Sequence, residues 1–149
     1  MRVFMIAALI SSSAMAACPD LSGTYKLCTS SDGSTTSDTQ ISQTVKNGIT
    51  TYTLTFTDDS NGERSTESYI ADGKVRSQSE SDPDSGMTFK TDTAVTCAGN
   101  SLKINIKVST QNENFANLNM TSTKTGERLT NVTTGTVFNE VHNETETCE

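Results

Sequence analysis

Apolar and polar residues alternate with a period of two along several short stretches of this chain. Tyr52, Leu54 and Phe56 are separated by threonines at 51, 53, 55 and 57, and Leu102, Ile104, Ile106 and Val108 by Lys103, Asn105 and Lys107. Such alternation marks a strand with one buried face, and β-branched threonine suits the exposed one. Turn signals punctuate the pattern at hairpin spacing: Asn47-Gly48, Asp58 to Gly62, Asp72-Gly73, Ser81 to Gly86, Ala98-Gly99-Asn100, Gln111 to Asn114 and Lys124 to Glu127. The Asn-Gly and Asp-Gly pairs are the most specific, because both tolerate the positive φ of a tight hairpin turn. The pattern predicts strands at about 22–30, 38–46, 49–57, 63–71, 74–80, 87–96, 101–109, 115–123 and 128–138, and no amphipathic helix of useful length. Segments 63–71 and 74–80 are polar on both faces apart from Tyr69, Ile70 and Val75, so they should be mobile or the least buried part of the sheet.

Short antiparallel strands joined by hairpins give an all-β, antiparallel up-and-down meander of about 8–10 strands. Closure into a small barrel removes the edges that promote aggregation; a two-sheet β-sandwich has similar strand spacing and is the alternative. The opening strand, Leu21-Ser22-Gly23-Thr24-Tyr25-Lys26-Leu27, resembles that of the calycins, the lipocalin and fatty-acid-binding families, which begin Gly-x-Trp or Gly-x-Tyr. The resemblance implies that the Tyr25 ring plugs the closed end of a barrel and that Gly23 permits a close approach or a bend. Tyr69 to Val75 is similar to a fatty-acid-binding hairpin. The chain departs from these families in having no Trp, no basic pair near its end to hold a carboxylate, and no second lipocalin signature.

Residues 1–17 read as a cleavable export signal: Arg2 is the positive end, Val3 to Ile10 the apolar run, and Ala14-Met15-Ala16 the small-residue cleavage site. The remainder, 18–149, has the size of one domain and ends in a polar C-terminal tail. No apolar run is long enough for a membrane-spanning helix. The expected location is therefore periplasmic or extracellular. Met15-Ala16-Ala17-Cys18 loosely resembles a bacterial lipobox, so an anchor through a lipid-modified Cys18 is the alternative.

Export places Cys18, Cys28, Cys97 and Cys148 where an even number of cysteines reads as a disulfide framework. Cys18 and Cys28 flank the first strand, and ten extended residues span roughly 33 Å, which puts them at opposite ends of the barrel. Counting reversals along the meander returns the sixth strand to the end holding Cys18, and the ninth strand finishes at the other. The parity predicts Cys18–Cys97 and Cys28–Cys148; one strand more or fewer between Cys28 and Cys97 would exchange the partners.

Charge and chemistry narrow the function. Without Arg2, ten Lys and Arg remain against eighteen Asp and Glu, a formal net charge of −8, which repels nucleic acid and anionic lipid. The lone histidine, His142, sits among Glu140, Asn143 and Glu144 in the polar tail, with no nucleophile motif nearby. The cysteines lack zinc or redox spacing, and Asp58-Asp59 and Asp82-Pro83-Asp84 lack the spacing of a calcium loop. These observations point to a protein that is not an enzyme, with no metal and no cofactor. Asn119, Asn131 and Asn143 head Asn-x-Thr sequons, which matter only in a eukaryotic secretory pathway.

Two function classes remain. A calycin-like barrel would hold a small apolar or amphipathic ligand, with Tyr25, Tyr52, Leu54, Phe56, Met87, Phe89, Leu102, Ile104, Ile106, Val108, Leu118 and Met120 as the inward side chains. The plainer expectation is that these residues fill a solid core. In the second class the barrel is a rigid support that presents polar loops to an unknown protein partner, with the acidic loop Ser81 to Gly86 as the candidate surface. An outer-membrane barrel is disfavoured, because the chain has too few aromatic residues for the girdles such barrels carry.

Overall fold

The alternating segments become strands that hydrogen-bond into two antiparallel sheets rather than one continuous ladder. The structure, a computed structural model, describes residues 17–33, 35–36, 38–57, 63–110 and 113–149. Residues 1–16 of the expected export signal and the Asp58 to Gly62 turn lie outside the described residues. The strands are β1 (Gly23–Tyr25), β2 (Cys28–Ser30), β3 (Thr35–Thr36), β4 (Thr39–Lys46), β5 (Ile49–Thr57), β6 (Arg64–Ile70), β7 (Arg76–Ser81), β8 (Thr88–Ala98), β9 (Ser101–Ser109), β10 (Asn114–Thr125), β11 (Arg128–Val137) and β12 (Glu140–Cys148). The smaller sheet has the order β1-β4-β5-β6, and the larger β3-β2-β12-β11-β10-β9-β8-β7.

Two features divide the expected barrel into two sheets. The expected first strand, 22–30, breaks at Lys26 and Leu27, so that β1 pairs with β4 in the small sheet while β2 pairs with β12 in the large one. The Asp72-Gly73 turn does not close a hairpin either. It carries the chain from one sheet to the other, and Ala71 N donates to Thr50 O (2.8 Å) in the small sheet while Gly73 N donates to Val95 O (2.9 Å) in the large one. The Asp72 carboxylate holds the crossing in shape: both its oxygens accept from the Arg76 guanidinium at 2.9 Å, and Oδ1 also accepts from Lys74 N at 3.0 Å. Strands β6 and β7 are the least buried of the longer strands, as their two polar faces predict.

The paired hydrogen bonds from Arg76, with that from the Lys74 amide, hold the Asp72 carboxyl down at about 2. The folded value lies below the unfolded one of about 3.9, so its contribution to stability is complete above that pH and is lost as pH falls toward 2. Asp72→Asn should therefore flatten the acid limb of a melting-temperature profile between about pH 4 and pH 2. An unchanged limb would mean that the crossing is not held by this pair.

The C-terminal residues expected to form a polar tail are strand β12, antiparallel to β11 from Val137↔Glu140 to Leu129↔Cys148. The hairpin before it turns through Phe138 and Asn139, both at positive φ (49° and 65°), without the Gly that usually signals such a turn. Cys18 bonds to Cys97, and Cys28 to Cys148, spanning 79 and 120 residues of chain. These are the expected pairs, reached by a different route. The extra strand β12 reverses the parity, and the break in the first strand reverses it again by turning Cys28 into the large sheet beside Cys148. Cys28 and Cys97 consequently lie at the same end of that sheet, not at opposite ends. Cys18 uses in this bond the sulfur that a lipid anchor would need. Closing so long a loop stabilises the fold by about 2–4 kcal/mol, and the Cys28→Ala/Cys148→Ala double variant should lose that amount in denaturant unfolding.

The core lies between the sheets at the disulfide end. Leu21, Tyr25, Ile41, Tyr52, Val95, Leu102, Ile104 and Leu129 are buried there with Cys28 and Cys148. The chain before β1 folds over this end, with Tyr25 Oη donating to Leu21 O (2.8 Å) and Tyr52 Oη to Pro19 O (2.6 Å). Gly23 leaves room for the Tyr25 ring, because a Cβ there would lie 3.1 Å from the ring's Cζ and Oη atoms.

Candidate functional site

The two sheets do not fill the space between them. Alternation sends Thr39 and Ile41 of β4, Tyr52, Leu54 and Phe56 of β5, and Tyr69 of β6 toward the large sheet, and between the layers lies a cavity of about 350 Å³. The large sheet supplies the facing wall with Leu102, Ile104 and Ile106 of β9, Met120 and Ser122 of β10, Leu129 and Asn131 of β11, and Glu146 and Cys148 of β12; Leu21 completes the lining. The volume is at the lower end of the range of small-molecule sites, roughly 300–1,000 Å³.

Of the twelve side chains expected to face inward, Tyr52, Leu54, Phe56, Leu102, Ile104, Ile106 and Met120 line this cavity. Tyr25 is buried in the core beneath it. Met87, Phe89, Val108 and Leu118 lie outside the lining. The reason is the unequal size of the sheets: four strands cannot cover the full length of the eight-stranded sheet, so its far end has no layer above it. Phe89 there meets the Phe115 ring edge-on at 5.5 Å, Phe115 meets Phe138 at 5.3 Å, and Met87 is exposed.

Alternation of apolar residues could not reveal the polar part of the wall. At one register across the large sheet stand Leu102, Ser122, Asn131, Glu146 and Ser30, on β9, β10, β11, β12 and β2 in turn. Asn131 Nδ2 donates to Glu146 Oε2 at 3.0 Å, and Ser122 and Ser30 are buried. In the next row outward Met120, Thr133 and Glu144 are neighbours. The inner face of the large sheet thus changes from apolar on β9 and β10 to polar and acidic on β11 and β12. Because Asn131 faces the cavity wall and is bonded there, a glycan on it is incompatible with this packing, whereas Asn119 and Asn143 are exposed.

A second cavity lies between β6 and β7, where the sheets are not paired, and adjoins the first: Tyr69 and Ile106 line both. Tyr69 Oη donates to Glu67 Oε2 (2.5 Å), and burial raises its pKa above the ordinary phenol value, with the Glu67 hydrogen bond and charge adding to the shift. Tyr52 is pushed up to about 12, by burial first and then by the charge of Asp20. Both phenols are therefore neutral at physiological pH and present rings, not charges, to the cavity.

The remaining candidate residues hold up structure. Cys28, Glu146 and Cys148 lie close together, but the two sulfurs are joined in a disulfide and are not available as thiolate ligands. His142 is on β12 rather than in a tail, with Nε2 3.4 Å from Glu144 Oε2. In the acidic loop, Asp82 Oδ1 accepts from Asp84 N (2.9 Å) and Oδ2 from Ser85 Oγ (2.7 Å), and the Ser85 bond leads the causes that lower its pKa. That carboxylate closes its own turn. No protein-family model matches this chain, and no curated protein or solved structure matches it either.

Proposed function

We propose that this is an exported, non-enzymatic binding protein that holds a small apolar or amphipathic molecule between its sheets. The observation that carries the reading is the unfilled cavity, lined mainly by apolar side chains with a few polar groups gathered on one wall, the arrangement typical of small-molecule sites. Two disulfides fit an oxidising compartment outside the cytoplasm. The link between the sheets fits this reading: β1 and β2 are successive pieces of one expected strand, β1 pairing with β4 in the small sheet and β2 with β12 in the large one.

Nile red, a neutral fluorophore that brightens in apolar surroundings, tests the reading. Saturable binding of one equivalent is expected, weakened by Leu54→Trp, which fills the cavity from β5. Native mass spectrometry of protein purified from its own source should show an apolar adduct of one per chain. A protein that is always empty, binds no Nile red and is crosslinked to a partner would replace this reading with that of an interaction module.

A further inference from the structure

We infer that the molecule held between the sheets is an amphiphile with an uncharged, hydroxyl-bearing head, such as an alkyl glycoside; this rests on the reading of the first cavity as a ligand site. Two adjoining cavities of different chemistry carry the inference. The first, about 350 Å³, is lined mainly by apolar side chains and suits a hydrocarbon tail. The second, about 630 Å³, is walled largely by groups that form hydrogen bonds, and Tyr69 and Ile106 line both.

The sheet registers place those groups. On the β7–β8 ladder Arg76 stands opposite Thr93 and Gln78 opposite Thr91, and alternation puts all four on the face that carries Val95. On β6, Glu67 and Tyr69 stand opposite Leu54 and Tyr52, on the face that lines the first cavity. A threonine hydroxyl and a glutamine amide both give and accept hydrogen bonds, as the hydroxyl of a ligand does. Among the described residues lining the second cavity, one of each sign is present, Glu67 and Arg76. A carboxylate head would meet the first and an ammonium head the second, whereas hydroxyls can donate to the carboxylate and accept from the guanidinium. Tyr69 stands where the chemistry changes. Its ring is apolar and its Oη is bonded to Glu67 Oε2 at 2.5 Å, which suits the joint between a tail and a polar head.

The experiment is calorimetric titration of the purified protein, both disulfides formed, with octyl glucoside, octanol, octanoate, octylamine and methyl glucoside at neutral pH, each below the concentration at which it forms micelles. Octyl glucoside should bind at least tenfold more tightly than octanol, equivalent to about 1.4 kcal/mol, and more tightly than either charged amphiphile. Methyl glucoside, the head without the tail, should bind more weakly than octyl glucoside by at least the same factor. The Thr91→Val/Thr93→Val double variant keeps both side-chain shapes and removes two hydroxyls, so it should narrow the ratio of glucoside to octanol affinity and leave octanol itself unchanged. Should that variant fail to fold, Gln78→Ala on the exposed edge strand β7 reads the same ratio. If octanol, octanoate or octylamine binds as tightly as octyl glucoside, or if the variants leave the ratio unchanged, the first cavity remains a ligand site and the inference about the head is overturned. If methyl glucoside matches octyl glucoside, the second cavity takes a free sugar and the amphiphile is overturned. If no compound binds and Nile red does not either, the ligand reading falls and this inference falls with it.

Discussion

Ile104→Asp is expected to leave the protein unable to fold. Ile104 is 2% exposed, lies between Val95 and Met120 on the inner face of the large sheet, and is both core and cavity wall. An aspartate there would stand among Leu102, Ile106 and the aliphatic side chains of the small sheet, with no cation among the described cavity-lining residues to pair with it. Burying an unpaired polar or charged group costs several kcal/mol, on the order of the 5–15 kcal/mol that holds a whole domain together. Ile104→Val removes one methyl group and should cost only about 0.5–1.5 kcal/mol. Secretion yield and far-ultraviolet circular dichroism separate the two variants. If the aspartate variant melts like the parent protein, the small sheet does not cover this position.

The residues of β5 and β9 explain why so much of the fold could be read from sequence. Tyr52-Leu54-Phe56 and Leu102-Ile104-Ile106 announce their buried faces by alternation, and both faces came together as expected. Asn47-Gly48 closes the β4–β5 hairpin, with φ of 53° and 76°. Strand β12 was hidden because Glu140–Cys148 offers alternating polar residues on both faces; what orders it is its backbone ladder to β11, a disulfide and the polar contact of Glu146 with Asn131. For the same reason the acidic wall of the cavity was invisible: a search for inward apolar residues passes over an inward glutamate. The change of sheet at Asp72-Gly73 was equally hard to foresee. A Gly at positive φ serves a hairpin and a crossing alike, and the difference lies in the Asp72–Arg76 pair and in backbone bonds to partners more than twenty residues away. The break at Lys26 and Leu27 depends on pairing with β4 and β12, which a local pattern does not contain.

Gly135 offered a signal that alternation alone ignores, since a glycine inside a strand often marks a close approach of two backbones. It sits in β11 between Leu118 of β10 and His142 of β12, at φ 149°, and a Cβ built on it would lie 2.0 Å from the Asn117 carbonyl oxygen. No rotamer change relieves that overlap, because the obstructing atom belongs to the neighbouring backbone. Gly135→Ala must therefore push β10 and β11 apart, and the expected loss is about 3 kcal/mol or more, in the range of severe single substitutions. Gly126 provides the contrast. It too has positive φ (63°), but nothing lies within 4 Å of its Cβ position, so Gly126→Ala should cost only the conformational strain, about 1 kcal/mol. Denaturant unfolding gives the two losses, and hydrogen exchange locates them. The Gly135 variant should lose protection along β10 and β11, which carry Met120, Ser122 and Asn131 to the cavity, and with it Nile red binding; the Gly126 variant should keep both. Equal losses in the two variants would show that β10 and β11 are not packed so closely at this point.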